Sequence, residues 1–469
     1  MNSKYKYLLK NFLLFSIGNF LPKVLTFIMV PLYTNCLSTS DYGIADFINT
    51  TISLLLPILT LNIQDAVLRF SLDKNYKKEE IFSTSIGIIL LGTMVLSIGL
   101  FVYNFAFSTL TITNYIGYFL VMYLSHAMYN SVTMFARGID KVSVIVTASI
   151  INTFLTVVLN LLFLLYFKQG LEGYLLANTI GSVFSVIYCM IVAKLYRFIK
   201  IKPNFSIWRD MCIYSIPLIG NSIAWWINSA SDKYILIWFS GLAVSGVYAI
   251  ASKIPAILSI LQNVFYQAWS ISAIKEFDKN DKGGFFGNSY TMLNFFLIVS
   301  CSILISVSKP LAKILYSNEF FEAWKYTSLL LISVVFNSMA LFIGSIFTAV
   351  KDTKIISIST LIGAIVNTIC NLIFIYLFEA WGAALATMLG YITTFIMRHI
   401  LVRRYIIMKI NYIRDTICFI ILIIQSFVYV FFSQNIVLNG LFVLVIVLCY
   451  NKEMINIVRG IMKKSKGYS

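Results

Sequence analysis

Long apolar runs broken by short polar punctuation set the rhythm of this chain. About fourteen such runs, each of roughly 16–28 residues, can be marked: 11–35, 44–70, 83–107, 112–136, 142–166, 172–193, 211–239, 247–273, 285–308, 326–350, 355–378, 381–401, 416–433 and 436–450. A helix rises 1.5 Å per residue, so each run spans most or all of a hydrocarbon core about 30 Å thick. The runs are apolar on all sides and lack the period-two alternation of strands. The pattern predicts an all-α, polytopic membrane protein of about 14 transmembrane helices.

The polar punctuation fixes an orientation. With the N-terminus inside, the inner loops and both termini hold 28 lysines and arginines, against four in the outer loops. Membrane proteins gather such residues on the cytoplasmic side, so both termini are expected there.

An internal repeat is legible within the rhythm. Gly18-Asn19 matches Gly220-Asn221, and Tyr42-Gly43 matches the Gly246-Val247-Tyr248 segment. RGIDK (137–141) matches VKDTK (350–354), and Asn160-Leu161-Leu162-Phe163 matches Asn371-Leu372-Ile373-Phe374. Gly173, Ala177 and Gly181 recur as Gly382, Ala386 and Gly390 at identical spacing. Small residues four apart let helices approach closely. The series predicts two pseudo-symmetric six-helix bundles, 1–200 and 201–403, followed by 404–469 carrying helices 13–14 and a tail. Parallel halves of this kind enclose a central cleft in alternating-access transporters.

Composition narrows the class. The chain is 59% hydrophobic and 12% charged, with mean hydropathy +0.86, where soluble domains run about 45–50% and about 25%. The net charge of +17 is accounted for by the inner loops, so no nucleic acid partner is expected. The N-terminal run is too long for a secretory h-region and no A-x-A-like site follows, which reads as an uncleaved first span. The seven cysteines are scattered singly, which supports neither a metal site nor a disulfide framework.

Charges inside the spans are the candidate chemistry. Lys23 follows Pro22 near the middle of the first run, where an ammonium facing lipid costs on the order of 2.5–3.5 kcal/mol. It is expected to face a watery cavity or an acidic partner. Lys253 lies inside the eighth run before Pro255, and Asp232 and Lys233 lie inside the seventh. Adjacent helical residues point about 100° apart, so Asp232 and Lys233 cannot both face one partner. One of them facing the cleft, or both lying near the outer interface and snorkelling to water, stay open as alternatives. Asp65 and Arg69 are spaced i,i+4 and can pair as a gate or an edge salt bridge. Asp46 is a further acidic candidate. Trp225, Trp226 and Trp269 could stack on sugar rings or simply pack, and Asn228 lies beside the first two. His126 is read as hydrogen-bonded structure before proton relay.

Absences also count. No G-x-x-x-x-G-K-[ST] is present, and KGGFFG (282–287) lacks that spacing. With two histidines and no nucleophile elbow, an enzyme is disfavoured.

Three stretches carry a family resemblance: GNFLPKVLTFIMVPLYTNCLSTSDYGIADF (18–47), SDKYILIWFSGLAVSGVYAIASKI (231–254) and SKPLAKILYSNEFFEAWKYTSLLL (308–331). In this order the chain resembles the Wzx-type oligosaccharide/polysaccharide flippases of the multidrug/oligosaccharidyl-lipid/polysaccharide (MOP) exporter superfamily. The resemblance covers spans 1–12 well and the last two loosely. It implies two six-helix bundles opening alternately to the two sides of the cytoplasmic membrane. It implies, as substrate, an undecaprenyl-pyrophosphate-linked oligosaccharide repeat unit carried from the inner to the outer leaflet for O-antigen, capsule or exopolysaccharide. Lys23 and Lys253, with Lys233 third, would grip pyrophosphate, and Trp225, Trp226 and Asn228 would border the glycan. No cofactor is implied; coupling to a proton or sodium gradient follows from the family alone, as do a polymerase and a chain-length regulator as partners. The alternative is a cation-coupled multidrug exporter, to which Asp46, Asp65 and Asp232 would belong.

Overall fold

The computed structural model describes residues 20–73, 75–106, 114–200, 204–432 and 435–466. The predicted match of Gly18-Asn19 therefore lies outside the described residues on its first side. Among them every regular element is a helix, as the apolar rhythm requires. Among the described residues, nine helices are long and apolar enough to cross a membrane, and two of these, of 47 and 50 residues, are pairs joined at a sharp break. The chain is a multi-pass membrane protein. It divides into two compact units, Met1–Ala230 and Ser231–Ser469.

The first unit contains α1 (Phe20–Cys36), α2 (Thr39–Leu59), α3 (Ile63–Ser71), α4 (Lys78–Ala106), α5 (Ile116–Gly138), α6 (Val142–Asn160, continued by a π-helical turn Leu161–Tyr166), α7 (Gly170–Val192) and the start of α8 (Phe205–Ala251). Ser38 starts α2 with a capping box: its side chain accepts from Asp41 N–H, and the Asp41 carboxylate accepts from Ser38 N–H. That reciprocal pair satisfies amides a helix N-terminus otherwise leaves open. The second predicted span is not continuous. Pro57 lies inside the last turn of α2, Leu61 and Asn62 turn left-handed, and the chain restarts as α3. The core under this break is Ile63, Val67, Phe82, Val132 and Phe135, and Ile207 and Met211 of α8 belong to it. The opening turns of α8 thus share the core of the first unit.

The second unit holds the rest of α8, then α9 (Lys253–Lys275), α10 (Phe285–Leu315), α11 (Trp324–Ala349), α12 (Thr353–Val402), α13 (Tyr412–Phe427) and α14 (Ile436–Lys466). α8 breaks at Gly241 (φ 84°) and α12 at Glu379 (φ 49°). Only glycine takes the first of these conformations without strain. α11 is the axis of the unit, packed on α9, α10 and α12 and buried along most of its length. The added helices α13 and α14 pack on α10 through buried polar ties. Gln425 accepts from Ser302 (2.7 Å), and the Tyr450 hydroxyl accepts from Asn294 (2.9 Å) while donating to Asp415 (2.8 Å).

The repeat reappears as matched packing inside each unit. On α7, a Cβ at Gly173 would stand 2.9 Å from Phe163 Cβ, and one at Gly181 would strike Thr156 and Asn152 of α6. In the second half of α12, a Cβ at Gly382 would fall onto the Phe374 carbonyl, and one at Gly390 would stand 2.8 Å from Asn367. Phe163 and Phe374 are the paired ends of the Asn-Leu-Leu/Ile-Phe match. The same small-residue spacing thus brings the same two helices together twice.

One cation at a span end, among those the charge pattern assigns to the inner loops, is buried. Arg398 lies within α12 and donates to Ala340 O (2.8 Å), Ser359 Oγ (2.9 Å), Thr360 Oγ1 (2.9 Å) and Ile356 O (3.3 Å). It staples α11 to both halves of α12. The loop KGGFFG is equally structural: Asp281 accepts the N–H groups of Phe286 (3.0 Å) and Gly287 (2.8 Å). The chain's own carboxylate occupies that helix N-terminus.

Candidate functional site

In the first unit, Lys23 is on α1 with an exposed side chain. Asp46 is on α2, half-buried, one turn after the buried Tyr42. Tyr42 belongs to an aromatic cluster with Tyr33 of α1 and Tyr174 of α7, with ring centroids 5.1–6.5 Å apart. Asp65 and Arg69 share α3 but form no ion pair among the described residues. Asp65 instead accepts from Asn62 Nδ2 at 2.7 Å. The left-handed turn at Asn62 needs a polar partner close by in the chain, and Asp65 is nearer to it than Arg69 is. Arg69 turns outward and lines a pocket of about 250 Å³ with Phe70, Asp73, Tyr76 and Tyr214.

The tryptophans differ. Trp225 is 51% exposed and presents its face, whereas the Trp226 indole N–H donates to Thr50 O of α2 at 2.9 Å. Asn228, one turn on, is half-buried. Trp269 lies in the second unit, stacked on Phe342 at 4.0 Å and bonded to its carbonyl at 3.0 Å. It belongs to the core of that unit. His126 is bonded through Nδ1 to Met122 O at 2.8 Å, which is the structural role expected of it.

In the second unit, Asp232 is buried. Its Oδ2 accepts from the Tyr248 hydroxyl at 2.8 Å and faces Thr387 Oγ1 at 3.5 Å. Its Oδ1 accepts from Lys233 N–H at 2.9 Å, and Tyr391 is close by. The Gly241 break makes this possible by turning the chain so that Tyr248 comes back beside Asp232. The Lys233 side chain is half-buried.

Lys253 is the first residue of α9. Pro255 cannot donate to Ala251 O, and the carbonyls it frees find other donors. Tyr316 OH reaches Ile250 O (3.1 Å) and Thr327 Oγ1 reaches Ala251 O (3.4 Å). This is how a proline is tolerated at membrane depth. The result places a lysine at a helix N-terminus, the positive end of the macrodipole, where anions are favoured. Tyr248, Thr387 and the donors at the Pro255 kink were not singled out from the sequence. Each acts through a residue distant in the chain, and no local spacing marks it.

The model of the family described as "polysaccharide biosynthesis protein" matches residues 8–271, more than half of the chain. The chain belongs to the polysaccharide biosynthesis protein family. Among curated relatives of this family member, it is 23% identical over 269 residues to the probable low-salt glycan biosynthesis flippase Agl15 of Haloferax volcanii, covering 55% of this chain and 57% of that one. The chain thus spans just over half the length of the relative it matches.

Solved structures agree on the fold. A lipid II flippase MurJ in an inward closed conformation superposes with TM-score 0.67 at 16% identity, over 94% of this chain and 100% of that one. An inward-facing MATE-family multidrug resistance transporter of the MOP superfamily gives TM-score 0.64 at 14% identity, over 84% and 95%. A MOP superfamily transporter from Pyrococcus furiosus gives 0.53 at 14%, over 84% and 93%. The family member therefore has the MOP transporter fold.

Proposed function

We propose that this protein is a flippase that moves an undecaprenyl-pyrophosphate-linked oligosaccharide repeat unit from the inner to the outer leaflet of the cytoplasmic membrane by alternating access. Both termini are cytoplasmic in this reading. The product feeds assembly of a surface polysaccharide (O-antigen, capsule or exopolysaccharide), where a polymerase and a chain-length regulator would receive it.

The observation that carries the reading is Lys253 at the N-terminus of α9. A lysine and a helix N-terminus together favour an anion, and a desolvated pyrophosphate needs such charge. Lys23 and Lys233 add cations within the spans. The relative's name as a glycan biosynthesis flippase supports the same substrate class. Trp225 is the aromatic face available to a sugar, and Trp226 and Asn228 lie beside it on α8. Coupling to a proton or sodium gradient is part of the proposal, and Asp232 is the carboxylate whose surroundings suit it: buried, with hydroxyl partners.

The second reading is a cation-coupled multidrug exporter, favoured by the same buried Asp232 and by the MATE-like fold. One experiment separates the two. In a deletion strain, lipid-linked repeat units trapped on the cytoplasmic leaflet, with loss of surface polymer, support the flippase. Normal polymer with new sensitivity to cationic drugs supports the exporter.

A further inference from the structure

At the lysine- and arginine-rich end of the second unit, the chain leaves α12 through a turn at 403–405 and reaches α13 along 406–411 with no regular secondary structure. This strap is pinned twice. Tyr405 OH donates to Asp352 at 2.5 Å, and Ile407 N–H donates to Lys279 O at 3.0 Å. Gly287 lets it lie close, since a Cβ there would stand 3.0 Å from Lys409 O. Between the strap, the first turns of α10 and α14 lies a cleft of about 620 Å³, bordered by Asn288, Thr291, Lys409, Asn411, Arg414 and Glu453. That volume falls within the roughly 300–1,000 Å³ of small-molecule sites.

The charges of the cleft are separated yet balanced. Arg414 is buried and paired to Asp415 (2.7 Å) and Glu453 (3.0 Å), and its guanidinium lies 4.1 Å from the Tyr450 ring centroid. Asn411 also donates to Glu453, at 3.2 Å. Lys409 is exposed and has no carboxylate partner among the described residues. Two cations and two carboxylates cancel, but the cleft presents the Lys409 ammonium on one wall and the half-exposed Glu453 carboxylate on another. A bare anion would be repelled by Glu453 and a simple cation by Lys409. A zwitterion with phosphate and primary amine a few atoms apart satisfies both.

The surroundings say where such a zwitterion comes from. Ile413 borders the cleft and begins a row of exposed apolar residues along α13: Ile417, Ile420, Ile424 and Phe427. Their three-and-four spacing keeps them on one face. A polar cleft at the end of a membrane helix, continued by an apolar track, matches a lipid head group and its chain.

We propose that this cleft binds the head group of an aminophospholipid, its phosphate on Lys409 with Asn288 and Thr291, its amine on Glu453. None of Lys23, Lys233 and Lys253 is among the residues that border the cleft. It does not depend on which substrate is transported.

The test is lipid retention by the full-length protein, measured by native mass spectrometry after exchange into phosphatidylethanolamine, phosphatidylcholine or phosphatidylglycerol. Wild type is expected to retain phosphatidylethanolamine on the order of tenfold better than the other two, the scale of one charge-assisted contact. K409A should lower that retention by a similar factor. E453Q should abolish the preference over phosphatidylcholine, whose quaternary amine has no N–H to donate. K282A, a lysine outside the cleft, should change nothing. Equal retention of phosphatidylglycerol by wild type overturns the proposal, as does wild-type retention by K409A, whose exposed side chain can be removed without unfolding the protein. Retention is read without transport, so either result leaves the flippase proposal to its own test.

Discussion

The carboxylate of Asp232 and the hydroxyl of Tyr248 meet at 2.8 Å across the glycine break at Gly241. The two residues are on one nominal helix yet belong to different directions of the chain. If Asp232 carries coupling, D232N should leave a folded protein whose transport in proteoliposomes no longer responds to an imposed proton or sodium gradient. Y248F should keep the gradient response and cost about 1–3 kcal/mol of stability, the price of a buried acceptor losing its donor. A gradient-driven D232N would remove Asp232 from the coupling scheme.

Lys253 and Lys23 offer a test of charge against geometry. K253A and K23A should lose most complementation of the deletion strain, while K253R and K23R retain a substantial part, because either cation can hold a phosphate. Full activity in both alanine variants would sink the pyrophosphate role.

The break between α2 and α3 separates the two fates of Asp65 and Arg69. D65A should destabilise the first unit by about 1–3 kcal/mol, since it strands the Asn62 amide. R69A, on an exposed side chain, should stay within about 0.5 kcal/mol of wild type. Thermal unfolding of both variants decides the matter: equal losses would mean that the two act as a pair after all.

Matched glycines should respond alike. G173A and G382A each push a Cβ into the preceding helix and should cost about 1–3 kcal/mol or more through overpacking. G99A, where nothing lies within 4 Å of the added carbon, should be neutral or slightly stabilising through helix propensity. The comparison is a midpoint shift in detergent for the three purified variants.

Arg398 should resist conservative replacement. R398K cannot reach Ala340, Ser359, Ile356 and Thr360 together, because an ammonium lacks the planar fork of a guanidinium. Its expected signature is lowered thermal stability comparable to R398M, with no separate change in substrate preference.

Much of this fold is legible in the sequence. Helix number, class and the repeat follow from apolar length and small-residue spacing, both of which act locally along the chain. Arg398 was misplaced among the loops because a cation near a span end looks the same whether it snorkels out or turns inward to carbonyls. Asp65 was paired with Arg69 because i,i+4 geometry is visible in a sequence and a left-handed turn at Asn62 is not. The surroundings of Asp232 were hidden for a related reason: Tyr248 comes beside it only through Gly241, and Thr387 through the packing of α12.

The hydroxyl of Tyr450 joins Asn294 of α10 to Asp415 of α13, and this has a bearing on biogenesis. A chain emerging from the ribosome inserts α10 long before α14 exists. Until α14 arrives, the Asn294 side chain has no phenol to meet in the interior. The second unit therefore matures late, after its last helix is inserted, whereas the first unit can close on its core once α8 has begun. A chain stalled before Tyr450 should hold a finished first unit and an unfinished second one, the kind of intermediate that membrane quality control clears.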